Sequence, residues 1–181
     1  DAYRALSNAD IAFVNGGGIR KQIEAGDITL DDIYSVHPFG NTMCVIRVTG
    51  QQVLDALEWG ARAVPSENGG FLQVSGLTYE IHTGVASSAE KDENGMFTRV
   101  SGEYRVKNVM VGGQPLELDK TYTLASHNYM LLGHGDGYTM FDGCEVLGED
   151  MMVDNQVLIT YITTTLGGVV GEQYANPYGD G

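Results

Sequence analysis

The sequence predicts an α+β domain, with mixed β-sheets and helices packed on their faces. Three observations carry this. Short apolar runs bounded by glycine read as strands, threonine-led capping boxes open helices among them, and strands and helices follow one another without regular alternation. A chain of 181 residues with 43% apolar content suffices for one domain with a real core, so residues 1–181 are read as a single domain. The 25 glycines imply many turns rather than long helices.

Taken in order, Asp1 to Leu6 reads as the last turns of a helix, so the chain is expected to be a mature fragment or a cut-out domain. Asp10 to Asn15 is the first strand, since Ile11-Ala12-Phe13-Val14 is a short apolar run stopped by glycine. Thr29 and Asp32 form a capping box that opens a short helix through Ile33 and Val36. Pro38 ends that helix, because the residue before proline is pushed out of the helical region. Thr42 to Val48 alternates apolar and polar residues and predicts a strand. Thr49 and Gln52 form a stronger capping box, followed by Val53, Leu54, Leu57 and Ala61 at helical spacing, with Trp59 read as packing.

Phe71 to Val74 and Leu77 to His82 predict two strands separated by Ser75-Gly76. Thr83 to Gly102 is polar and reads as a mobile loop or a long hairpin. Tyr104 to Val111 is a strand meeting Gly112-Gly113, a two-residue hairpin signal, and Thr121 to Ser126 is the returning or next strand. A short apolar helix from Asn128 then runs into the loop Gly133-His134-Gly135-Asp136-Gly137. Asn155 to Leu166 predicts a last helix stopped by Gly167-Gly168, and the polar tail from Glu172 is expected to fray.

The net charge of −14 repels phosphate backbones, so nucleic-acid polymers and anionic membranes are poor partners. No stretch approaches the roughly eighteen-residue apolar run of a membrane helix, and no signal peptide is seen. A single small anion remains a feasible ligand where cations are placed locally, and Arg20-Lys21 is the only adjacent basic pair. Cys44 and Cys144 could pair, but two cysteines do not make a disulfide framework, and the apolar run around Cys44 suits a buried free thiol better.

The chain is organised around Asn15-Gly16-Gly17-Gly18-Ile19-Arg20, completed downstream by His37-Pro38-Phe39-Gly40-Asn41. Three glycines let another group approach the backbone closely, and Arg20 supplies a planar charge suited to carboxylate or phosphate. The string fits neither the G-x-G-x-x-G dinucleotide fingerprint nor a P-loop. Together, the two stretches resemble the C-terminal, substrate-binding domain of the 5'-nucleotidase family, which includes periplasmic UDP-sugar hydrolases and ecto-5'-nucleotidase. Phe71 to Gly76 and the Tyr122 to Ser126 strand extend the resemblance over most of the chain.

A nucleotide site needs flat faces for the base, a carboxylate for the ribose diol, and cations with backbone donors for phosphate. The sequence offers Phe39 and Tyr129, Asp136, and Arg20 with Asn15, all in or next to glycine-containing stretches. The resemblance implies the same roles. Asn15 and Arg20, with Gly18 between them, would contact substrate; Phe39 and Tyr129 would clamp the base; Asn41 would meet its edge; Asp136 would bind the ribose hydroxyls. Two departures stand out. The Gly133-His134-Gly135-Asp136 loop is one residue longer than the family's G-G-D-G, with His134 the apparent insertion. A further substrate-contacting arginine of the family lies upstream of the residues present here.

The family hydrolyses phosphate esters with two divalent metal ions held in an N-terminal metallophosphoesterase domain. His37, His82, His127 and His134 form no metal-ligand pattern, and scattered histidines more often satisfy local hydrogen bonds. No G-x-S-x-G or related triad signature appears. The domain is therefore expected to bind a nucleotide or nucleoside and to hold neither catalytic residue nor metal. Hydrolysis of nucleoside 5'-phosphates would need that upstream domain of the same chain. The resemblance further implies an extracellular, periplasmic or cell-surface location. The rival readings are a 2',3'-cyclic-nucleotide phosphodiesterase, a UDP-sugar hydrolase, or a non-catalytic surface binding module. Sulphur-oxidation proteins share the fold and would lack the clamp, so Phe39 and Tyr129 argue against them.

Overall fold

A computed structural model of the chain describes residues 1–174. Helix α1 (Ala2–Ser7) leads into β1 (Ile11–Asn15) and a tight turn at Gly16–Gly18. Next come α2 (Leu30–Val36), β2 (Met43–Thr49) and α3 (Gly50–Ala61), both helices opened by complete capping boxes, Thr29 with Asp32 and Thr49 with Gln52. Strands β3 (Leu72–Ser75), β4 (Leu77–Ile81), β5 (Ala89–Lys91), β6 (Phe97–Val100), β7 (Val106–Val111), β8 (Gln114–Pro115) and β9 (Thr121–His127) follow. The chain closes with α4 (Asn128–Leu131), β10 (Glu145–Gly148) and α5 (Asp154–Thr160), which widens into a π-turn over Tyr161–Thr165 before Gly167. Glu172–Tyr174 is one further turn; the remainder of the polar tail lies outside the described residues.

The main sheet runs β10-β2-β9-β1-β3, with β1 parallel to β9 and every other pair antiparallel, so the sheet is mixed. Helix α3 covers one face: Phe13, Cys44, Ile46, Val48 and Leu124 pack with Val53, Leu57 and Trp59 in the main core. Helices α1 and α5 cover the other, where Tyr3, Ala12, Met43, Val45, Ala125 and Val157 form a second cluster. Coverage of both faces corrects the expected alternation in β2, where only Arg47 is exposed and pairs with Glu145 on the edge strand. Cys44 is buried and free, and burial pushes its thiol up to about 12; Cys144 is also free.

A smaller sheet, β4-β7-β8, lies against the far side of α3. Gly112-Gly113 makes its hairpin turn with positive φ at both residues, and the returning strand is the two-residue β8. Thr121–His127 is the next strand instead, and belongs to the main sheet. The Thr83–Gly102 segment is the hairpin of its two readings, β5 paired with β6, anchored by Phe97 edge-on to Trp59. Buried Glu58 on α3 accepts the Val106 backbone N–H, tying this layer to the core.

Candidate functional site

Sheet topology brings four loops to one end of the molecule. β1 and β9 are adjacent and parallel, so both finish there, at Asn15 and His127. β2 and β3 are antiparallel to these neighbours, so both start there, with Met43 opposite His127 and Leu72 opposite Asn15. The glycine turn after β1, the Phe39 loop before β2, the Asn68–Phe71 turn before β3 and the segment after β9 therefore converge. Between them lies a cleft of about 270 Å³ lined by Asn15, Gly17, Gly18, Phe39, Asn41, Tyr129 and Asp136.

Six of the seven residues singled out above line this cleft. Arg20 does not: it stands at the rim, donating to the Gly17 carbonyl at 3.0 Å with its guanidinium 5.9 Å from the centre of the Phe39 ring. Phe39 and Tyr129 are 60% and 43% exposed, so neither ring is consumed by the core. Two large aromatics left half in water on one cleft suit an apolar, flat ligand.

Asp136 sits in the left-handed region at φ 55, as does His134, and this is how the longer loop folds back on itself. His134 turns outward to pair with Asp142, leaving Asp136 in the cleft. One Asp136 oxygen accepts from Asn15 Nδ2 at 2.6 Å and the other from the Tyr129 hydroxyl at 3.3 Å. Its backbone carbonyl accepts from Trp59 Nε1 at 2.9 Å, so the packing tryptophan of α3 also anchors the loop. A Cβ on Gly135 would lie 2.3 Å from the Tyr129 ring, which explains glycine at that point of closest approach. Burial and the nearby Asp136 charge raise the Tyr129 hydroxyl, keeping it a donor.

One participant carries no signal in the sequence. His127 is 2% exposed, and its Nε2 lies 3.1 Å from Asn15 Oδ1. Burial holds the imidazole down at about 4 against an ordinary value of 6.5, so it is neutral at pH 7. The unfolded chain then binds more protons than the folded one between these values, and stability falls as pH drops through that window. The expected loss is about 3 kcal/mol between pH 6.5 and 4 in the parent beyond that in His127→Gln, read from chemical denaturation at each pH.

Among the described residues, no group of three or more His, Cys, Asp or Glu is arranged to hold a metal ion. No helix among them is long and apolar enough to cross a membrane. One cleft of this α+β domain thus gathers aromatic, amide and carboxylate groups.

Residues 1–143 match the 5'-nucleotidase C-terminal domain, and the chain belongs to that family. It is 35% identical over 167 residues to the trifunctional nucleotide phosphoesterase protein YfkN of Bacillus subtilis, covering 92% of this chain and 11% of that protein. It is 32% identical over 161 residues to the 5'-nucleotidase of Vibrio cholerae, covering 89% and 25% respectively. The fold matches the crystal structure of a 5'-nucleotidase precursor from Thermus thermophilus with a TM-score of 0.73 and 33% identity, over 88% of this chain and 29% of the other. The chain thus spans about a quarter or less of the curated relatives it matches.

Proposed function

We propose that this chain is the nucleotide-recognition domain of a 5'-nucleotidase-type hydrolase. Phe39 and Tyr129 sandwich the base, Asn41 meets its edge, and Asp136 accepts from the ribose hydroxyls. Asn15, Gly18 and Arg20 position the phosphate side. The observation that carries this is the cleft itself, where two half-exposed aromatics and a carboxylate lie together. Membership of the 5'-nucleotidase C-terminal domain family and the likeness to the Vibrio cholerae 5'-nucleotidase support the same reading.

In this proposal a metallophosphoesterase domain upstream in the same chain supplies two divalent metal ions and the hydrolytic step. The residues described here offer no ligand set for those ions, so their part is to bind and orient the nucleotide. The 181-residue chain alone binds without hydrolysing, and the whole protein, acting at the cell surface, in the periplasm or outside the cell, releases nucleoside and phosphate. The Bacillus subtilis relative, a trifunctional nucleotide phosphoesterase, favours a second reading in which the whole protein acts on more than one kind of nucleotide phosphoester.

Phe39→Ala tests the base clamp. Removing one stacking face is expected to weaken adenosine binding by about 1–3 kcal/mol, or about 5- to 150-fold in Kd by calorimetric titration. The melting temperature should stay at the parent value, because the ring is mostly exposed. A variant that binds as tightly as the parent removes Phe39 from the site.

A further inference from the structure

We infer that His127 is a positioning residue of the cleft, acting through Asn15 to set the orientation of the Asp136 carboxylate and hence the preference for a ligand bearing a cis-diol. The inference rests on the reading that Asp136 receives the ribose hydroxyls. His127 does not line the cleft; it is the last residue of β9, opposite Met43, with its ring edge-on to Tyr3 at 6.4 Å between ring centres.

The hydrogen bonds have only one consistent direction. A carboxylate accepts and cannot donate, so the Asn15 atom 2.6 Å from Asp136 Oδ2 is the amide nitrogen. The other Asn15 atom is then the carbonyl oxygen, and His127 must donate to it from Nε2. A relay results, from His127 Nε2–H to Asn15 Oδ1, and from Asn15 Nδ2–H to Asp136 Oδ2. The opposite nitrogen, His127 Nδ1, is buried with no hydrogen-bond partner among the described residues, so the bond to Asn15 is the ring's one hydrogen bond there; its other neighbours are the Tyr3 ring and the Tyr129 ring, 5.9 Å away between centres. The glycine turn packs onto it: a Cβ at Gly18 would fall 2.7 Å from Asn15 Oδ1 and 3.8 Å from His127 Nε2.

Without that donor the Asn15 amide is held only from one side, by its 2.6 Å bond to Asp136, and each rotation away from it would present the amide oxygen to the carboxylate. Asp136 would then keep only the longer Tyr129 contact, and its oxygens would no longer be held towards the cleft. Ligands that use the carboxylate should suffer, and ligands that only stack should not.

The test is calorimetric titration of the 181-residue chain, His127→Leu and His127→Gln with adenosine and with 2',3'-dideoxyadenosine. The parent should favour adenosine by about tenfold or more, the worth of a hydrogen bond to a charged group. In His127→Leu the preference should fall to about threefold or less with dideoxyadenosine binding unchanged, and His127→Gln, which retains a donor, should restore it. A His127→Leu protein that keeps the parent's preference overturns the inference. Equal binding of both ligands by the parent overturns the ribose reading itself. Nitrogen-15 NMR of the parent imidazole separates these failures and does not depend on how the variants fold. Its protonated nitrogen must be Nε2, and a proton on Nδ1 overturns the relay whatever the titrations give.

Discussion

Replacing Trp59 with alanine is expected to lower the unfolding free energy by about 3–5 kcal/mol, the usual cost of deleting a buried aromatic. The side chain is 1% exposed, lies edge-on to Phe97 at 5.7 Å, and is capped by the Arg62 guanidinium 3.6 Å from the ring centre. Its loss opens a cavity between α3, the β5–β6 hairpin and the Asp136 loop. It also strands the Asp136 carbonyl, which accepts the indole N–H. Urea denaturation reads the first effect. Weakened adenosine binding at temperatures where the variant is still folded reads the second. Trp59→Phe should recover much of the packing without the loop anchor, so its stability should rise towards the parent while its binding stays reduced.

Asp136→Gly should have the larger direct effect on the ligand. Glycine adopts φ 55 without strain, so the loop is expected to keep its path while the carboxylate is removed. Loss of a charged acceptor for hydroxyl donors is worth about 1.5–3 kcal/mol, which appears as an adenosine Kd about 10- to 150-fold higher. Dideoxyadenosine, which lacks the hydroxyls, should bind parent and variant alike. A loss shared by both nucleosides would mean that Asp136 supports the loop and does not touch the ribose.

Much of the fold was legible because its signals are local. Both capping boxes, the Gly112-Gly113 turn and the apolar run into Asn15 need only neighbouring residues to act. The alternation expected of Thr42 to Val48 does not carry into the burial of β2, which depends on helices covering both faces of the sheet. The brief β8 carries too few residues to show a period, so Thr121–His127 looked as though it might return to the smaller sheet.

The cleft divides in the same way. Side chains of suitable chemistry stand out in the sequence at Phe39 and Asp136, beside glycines, and at Tyr129, four residues before Gly133. Their convergence does not, because it follows from the order β2-β9-β1-β3, which no local pattern encodes. His127 was one of four scattered histidines. Only the parallel pairing of β1 with β9 reveals that it ends its strand beside Asn15. Arg20 stands out by its chemistry, and the structure places its guanidinium on the Gly17 carbonyl and 5.9 Å from the Phe39 ring centre, next to the cleft.

The most direct test of nucleotide recognition is a backbone amide NMR titration of the 181-residue chain with adenosine. A second cavity serves as an internal control: about 310 Å³, mostly apolar, it lies between β3 and α5 and is lined in part by Val74, Val157 and Ile162. Saturable shifts at Gly18, Phe39, Asn41, Tyr129 and Asp136, with that second cavity silent, are the result the cleft predicts. Shifts confined to the β3–α5 cavity, or no saturable shift at millimolar ligand, would contradict it.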